Sequence, residues 1–297
     1  MKYFPVIFLA VVATKSSKDL SVHESMSQNS SNSVNKTCSL PLYHNNYSSK
    51  IPDYYQRGSE FGKLPDNGAA YCGPVSISNS FVHLARQGFD NIISVLCDSD
   101  KEQHELIKLL GSSRYINTGK EGSSPQAMCD GVSRFLQDRG YDSARLEYYG
   151  WRQVSSKFNT GISVPDLNIV KAAIVNGYPV WLNIGWYRYS KKGNKFRRCG
   201  GHWVTLTGYG FNKGKLSENT LIVNDPDSRY KGNEYIDLER IKSGVLTNNF
   251  SKSSVNASGF YRWKQGSGIY GIIDGFIILK IEKQPFLSFN LPSVSVW

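Results

Sequence analysis

Residues Pro179–Tyr209 read PVWLNIGWYRYSKKGNKFRRCGGHWVTLTGY, two apolar segments joined by a basic one. In Pro179–Tyr187, Val180, Leu182, Ile184 and Trp186 fall on one side, the period-2 pattern of a strand. His202–Tyr209 reads as a second strand, and Thr220–Asn224 and Gly271–Ile281 as two more. Upstream of Pro179 the period changes. Cys72–Gln87 places Ile77, Phe81, Leu84 and Ala85 on one helical face and stops at Gly88. Asp100–Leu110 has acids in its first turn, which suits the positive end of a helix. Ser124–Arg139 carries a Ser cap, Pro125 in the first turn and Gly140 at its end. Pro165–Asn176, closed by Gly177, is a fourth helix. Helices first and neighbouring strands later predict an α+β fold, a helical half packed on a mostly antiparallel sheet.

The whole chain has 297 residues, of which 40% are hydrophobic, enough for a buried core, so a wholly disordered or fibrous protein is excluded. No apolar run reaches the roughly 18 residues that span a bilayer, so no transmembrane anchor is expected. Tyr3–Ala13 (YFPVIFLAVVA) follows Met1 and Lys2 and reads as an export signal over residues 1–13. Residues 14–48 read as a flexible leader or pro-segment, rich in Ser, Asn, Lys and Gln up to residue 37. A single domain over 49–285 and an extension over 286–297 complete the expected organisation. The expected location is therefore periplasmic or secreted. Sequons stand at Asn29, Asn35, Asn46, Asn249 and Asn256. The formal net charge of +11 favours acidic partners, and an anionic surface or polymer could meet the basic run Trp186–Arg198.

Several chemistries lack their motifs. No Cys-x-x-Cys, His-Glu-x-x-His, Walker lysine loop or Gly-x-Ser-x-Gly is present. Gly266, Gly268 and Gly271 match Gly-x-Gly-x-x-Gly, but a strand follows where a dinucleotide turn needs a helix. No cofactor is expected. Of the five histidines, His23 and His44 lie in or near the leader, and His83 and His104 lie inside helices.

The remaining candidates fall in three places. Cys72, at a helix start (AYCGPVS), sits by unpaired N–H groups and the positive end of the helix dipole, both of which favour thiolate. Gly73 leaves room for a substrate backbone. His202 opens a strand after two glycines (GGHWVTLTGYG) and can take and return the thiol proton. LIVNDPD ends a strand in polar groups, and a carboxylate or amide there could hold the imidazole tautomer. His202 follows Cys72 by 130 positions, within the papain-type spacing of roughly 130–150. An odd cysteine count leaves one thiol over. With Cys72 free, Cys38, Cys97, Cys129 and Cys199 permit three pairings.

Together CGPVS, GHWVTLTGYG and VNDPDS resemble the bacterial peptidases related to the bacteriocin-processing cysteine peptidases, over roughly residues 51–282. The resemblance implies a papain-like fold and a polypeptide substrate. It also implies Cys72 as nucleophile, His202 as general base and Asp225 as the residue orienting it. The family's upstream glutamine, a donor to the oxyanion, corresponds to Gln56 in IPDYYQ. Gln56 precedes Cys72 by 16 positions, which requires Arg57–Ala70 to loop out, and Asn67 is the nearer alternative donor. Two other functions stay open on this scaffold: a retired enzyme acting as a basic binding or adhesion module, and an acyl transferase or amidase on the same three residues.

Overall fold

The computed structural model describes residues 39–283 apart from 46, 48, 59, 94–98, 213, 230–231, 249–252 and 264–267. The expected export signal, leader residues 14–38, Cys38, Cys97, the extension 286–297 and the sequons at Asn29, Asn35, Asn46 and Asn249 lie outside the described residues. From Leu40 onward the chain forms one unit.

The four expected helices form, and local chemistry sets their ends. They are α1 (Cys72–Arg86), α2 (Asp100–Gly111), α3 (Pro125–Asp138) and α4 (Leu167–Val175). Ser124 Oγ accepts from the Ala127 N–H at 3.1 Å and caps α3. Asp166 Oδ1 accepts from Asn168 N–H at 2.8 Å, so α4 starts after this cap and Pro165 stays outside it. Gly88, Gly140 and Gly177 follow α1, α3 and α4 with φ near +80°, the left-handed turn that ends a helix at little cost for glycine.

Among the described residues nine strands follow or interleave: β1 (Arg145–Gly150), β2 (Val180–Ser190), β3 (Lys195–Asn212), β4 (Lys215–Asn224), β5 (Glu234–Arg240), β6 (Val245–Thr247), β7 (Ser254–Asn256), β8 (Tyr261–Trp263) and β9 (Ile269–Lys280). The fold is α+β. The sheet, expected simply as mostly antiparallel, closes on itself. β2 pairs with β3, β3 with β4, β4 with β5, β5 with β8, β8 with β9, and β9 returns to β2. All these pairings are antiparallel, and β3–β6 is parallel. β3 starts seven residues before the expected His202, because the basic run pairs with β2 as a hairpin, Ser190 opposite Lys195.

Two packed layers explain the closure. Trp181, on one face of β2, joins Ile77, Phe81, Leu110, Phe135 and Trp203 in the core between helices and sheet. Phe81 stacks on Phe135 at 5.3 Å between centroids and meets Trp181 edge-on at 6.3 Å. Each such aromatic pair contributes about 0.5–1.5 kcal/mol beyond its burial. Val180, Leu182 and Ile184, with Trp186, point to the other face as the alternation predicts. There they meet Val204, Leu206, Val223, Ile236, Leu238 and Ile273, with Leu167, Val170 and Ile174 of α4. Strands with both faces covered need apolar residues on both, and Phe276–Leu279 of β9 is such a run.

α1 lies against the sheet and is itself buried from Cys72 to Leu84. Trp181 Nε1 donates to Ser76 O (3.1 Å) and to Ser80 Oγ (3.0 Å), and Thr205 Oγ1 donates to Ser76 O (2.9 Å). These bonds fix the helix start relative to β2 and β3. Upstream, His44 bridges to Tyr209 of β3, and Tyr209 donates its hydroxyl to Pro41 O at 2.8 Å.

Candidate active site

Cys72 is the first residue of α1 and is 7% exposed. Gly73 behind it has a different use from the one expected. A Cβ there would lie 2.7 Å from Met128 Sδ and 3.4 Å from Ser123 Cβ, so its missing side chain lets α3 approach. The two glycines before His202 likewise do not leave the ring uncovered. They make room for Trp186 and Arg198, whose atoms lie 3.2 Å and 2.2 Å from ideal Cβ positions on Gly200 and Gly201. Trp186 then stacks on the His202 ring, 6.2 Å between centroids.

His202 Nε2 and Asp225 Oδ1 are 2.6 Å apart, and the Cys72 side chain lies close enough to the ring to shift its titration. With Nε2 committed to Asp225, Nδ1 is the nitrogen that serves Cys72. Burial alone would push the ring's pKa down. The hydrogen bonds and charges of Asp225 and Cys72 outweigh it and raise the value to about 10. Burial works the other way on Asp225, and the bond and charge of His202 outweigh it, holding the carboxyl below its ordinary range. The ring is therefore an imidazolium at neutral pH.

The neighbouring amide has another task. Asn224 Nδ2 donates to Ile51 O (3.1 Å) and Pro52 O (2.9 Å), tying the segment before Gln56 to the end of β4. The Gln56 N–H then donates to Pro226 O at 2.8 Å. Gln56 is 3% exposed, and its Oε1 is buried with no hydrogen-bond partner among the described residues. Asn67 is exposed, in a left-handed turn with Asp66. The loop Arg57–Ala70 bulges out through this turn and returns at Gly68, which packs on the Gln56 carbonyl. So the structure gathers Cys72, His202 and Asp225 with the backbone of Gln56, and leaves Asn67 facing solvent.

Two further residues at the site were not expected there. Trp186 was read as a strand residue and as the start of the basic run Trp186–Arg198, and its cover over the imidazole depends on the hairpin. Arg57 pairs with Asp227 and lies within electrostatic range of Cys72. Cys129 and Cys199 are free thiols, the first buried with its pKa pushed by burial to about 12, the second exposed. Cys199 is the extra residue of a bulge between Trp186 and Tyr187. His83 and His104 are buried, bonded to Gln87 (3.0 Å) and Tyr54 (2.8 Å). Among the described residues no group of three His, Cys, Asp or Glu side chains could hold a metal ion.

Residues 20–257 match the model of the Peptidase_C39 like family. The chain belongs to the Peptidase_C39 like family. No curated protein matches it. Membership of the Peptidase_C39 like family supports a peptidase of the cysteine type, and a peptidase implies polypeptide as substrate class. Among the described residues of this Peptidase_C39 like chain, no helix is long and apolar enough to cross a membrane.

Proposed function

We propose that the chain is an exported peptidase that cleaves peptide or related amide bonds through a Cys72–His202–Asp225 triad and an acyl-enzyme. The observation that carries this reading is the His202–Asp225 pair at 2.6 Å, with the Cys72 side chain close enough to shift the ring's titration. A helical half bearing the thiol against a closed antiparallel barrel bearing the imidazole supports a papain-like assignment. The apolar run Tyr3–Ala13 supports export.

The nucleophile is the deprotonated form of the Cys72 sulfur, and His202 holds the proton. The sulfur attacks the scissile carbonyl carbon, and the charge moves to oxygen. The Cys72 N–H and the Gln56 amide face that oxyanion. His202 gives its proton to the leaving nitrogen as the C–N bond breaks, leaving a thioester. The neutral ring then takes a proton from water, whose oxygen attacks the thioester. Collapse releases the acid, regenerates thiolate and leaves the ring charged. Asp225 stabilises the imidazolium and fixes the ring through Nε2.

Cys72→Ala tests this reading. A thiol-directed peptide electrophile should label the parent protein on Cys72 and leave the folded Cys72→Ala protein unlabelled. Equal labelling of the variant would sink the assignment.

A second reading concerns the β2–β3 hairpin. Arg188, Lys191, Lys192, Lys195 and Arg197 are exposed at its tip. They suit an anionic surface or polymer. Binding of heparin to the Cys72→Ala protein should weaken steeply with salt, and binding that ignores salt would remove this reading.

A further inference from the structure

A groove of about 690 Å³ is lined from Ser124 onward. The residue after Cys72 and the residue after His202 both meet Ser123. An ideal Gly73 Cβ lies 3.4 Å from Ser123 Cβ, and Trp203 Nε1 donates to Ser123 O at 2.9 Å. The next residues, Ser124 and Pro125, line the groove, which continues along Trp151, Arg152, Asn159 and Ser254. Ser123 thus ties the first residues of the groove to the elements that carry Cys72 and His202.

Its charge is one-sided. Among the described residues lining it there is no carboxylate, and Arg152 is the one charged side chain. The Arg152 guanidinium stacks over the Trp151 ring with Cζ 5.3 Å from the centroid. That ring is pinned from behind, since Trp151 Nε1 donates to Asp274 Oδ1 at 2.8 Å. Asp274 is fully buried and already serves Arg198 (2.8 Å) and the Tyr187 hydroxyl, so it does not neutralise Arg152. A guanidinium stacked on an indole keeps its N–H donors in plane for a carboxylate.

We propose that this groove is the subsite that receives the substrate chain on one side of the scissile bond. It selects an acidic side chain, Asp or Glu, through Arg152. The inference rests on the peptidase reading above for its orientation.

The test uses fluorogenic peptides in which one Glu or one Lys is scanned through the positions flanking the cleaved bond. At one position the parent enzyme should prefer Glu over Lys by about tenfold in kcat/KM, the size of one partly screened charge contact. Arg152→Gln should erase that preference and Arg152→Glu should reverse it. Lys215→Glu, on an exposed residue of β4, makes the same net-charge change and should leave the preference as it was. A preference unmoved by Arg152→Glu, or moved equally by Lys215→Glu, would overturn the subsite. A second measurement needs no turnover. A fluorescein-labelled peptide with three glutamates should bind the Cys72→Ala protein more tightly than its lysine counterpart, and Arg152→Glu in that background should invert the order. Unchanged order there overturns the groove assignment. Failure of the peptidase reading would show separately, as electrophile labelling that survives Cys72→Ala.

Discussion

His202 Nε2 sits 2.6 Å from Asp225 Oδ1, although His202 lies in β3 and Asp225 just past the end of β4, 23 positions apart. The β3–β4 register, with Thr205 opposite Asn224, brings residues 202 and 225 to the same end of the pair. The carboxylate also accepts from the Asp227 N–H at 2.8 Å, so its orientation is set from two sides.

That contact predicts a pH profile. With its pKa raised from 6.5 to about 10, His202 stays charged through neutrality, and kcat/KM should fall on the alkaline side near pH 10. The sign for stability follows from the same shifts. The His202 contribution is complete below 6.5 and is lost as pH rises through about 10. The Asp225 contribution is present above 3.8 and is lost as pH falls through its lowered folded value. Asp225→Asn should move the alkaline limb toward neutrality and lower kcat by on the order of 100-fold or more. An alkaline limb that stays in place in Asp225→Asn would show that Asp225 does not hold the imidazolium.

Gln56 and Asn67 make opposite predictions. Gln56→Ala should lower kcat by about 100-fold with a smaller effect on KM, as the loss of an oxyanion donor does. Asn67→Ala, on an exposed turn, should leave both within a few-fold of the parent. Steady-state kinetics on one peptide substrate decides between them, and the reverse ranking would reassign the donor.

Gly68 holds Gln56 in place. Its φ is +75°, and an ideal Cβ would stand 1.8 Å from the Gln56 carbonyl oxygen. Gly68→Ala should therefore cost about 2–4 kcal/mol and lower kcat as Gln56→Ala does. Gly214→Ala separates strain from clash, because Gly214 has φ +83° but no neighbour within 4 Å. It should cost only about 1–2 kcal/mol and leave kcat alone. Denaturant melts and single-turnover rates on both variants check the pair.

Asp274→Ala should be the most damaging of the single changes considered. It strips the partner from Arg198, whose side chain is 11% exposed, and leaves the Tyr187 hydroxyl and Trp151 indole without an acceptor. Removing one member of a buried pair costs about 3–5 kcal/mol. Arg198→Met in the Asp274→Leu background should recover part of that loss, measured by the same melts. A loss as large as the single change would mean that packing, and not the stranded charge, dominates.

The four helices were legible because their signals are local. Ser124 and Pro125 mark a start, Gly140 and Gly177 mark ends, and the apolar period runs over several turns. The strands Val180–Tyr187 and Gly271–Ile281 were legible for the same reason. β5, β6, β7 and β8 were not, since segments such as Tyr261–Trp263 are three residues long and owe their conformation to partners far along the chain. Gly73 illustrates a subtler miss. Glycine announces close approach, but the sequence does not say whether the visitor is a substrate or Met128 and Ser123.

By itself the sequence determined a mixed helical and stranded domain, a cysteine at a helix start and a histidine at a strand, since propensity, capping and periodicity act over a few residues. The tertiary structure decided that the sheet closes into a barrel and that Asp225 rather than Asn224 meets the imidazole. It also decided that Gln56 rather than Asn67 is held inside. Those choices turn on strand register and on contacts between residues far apart in the chain, and side-chain chemistry is the same for either candidate until the backbone has placed one of them.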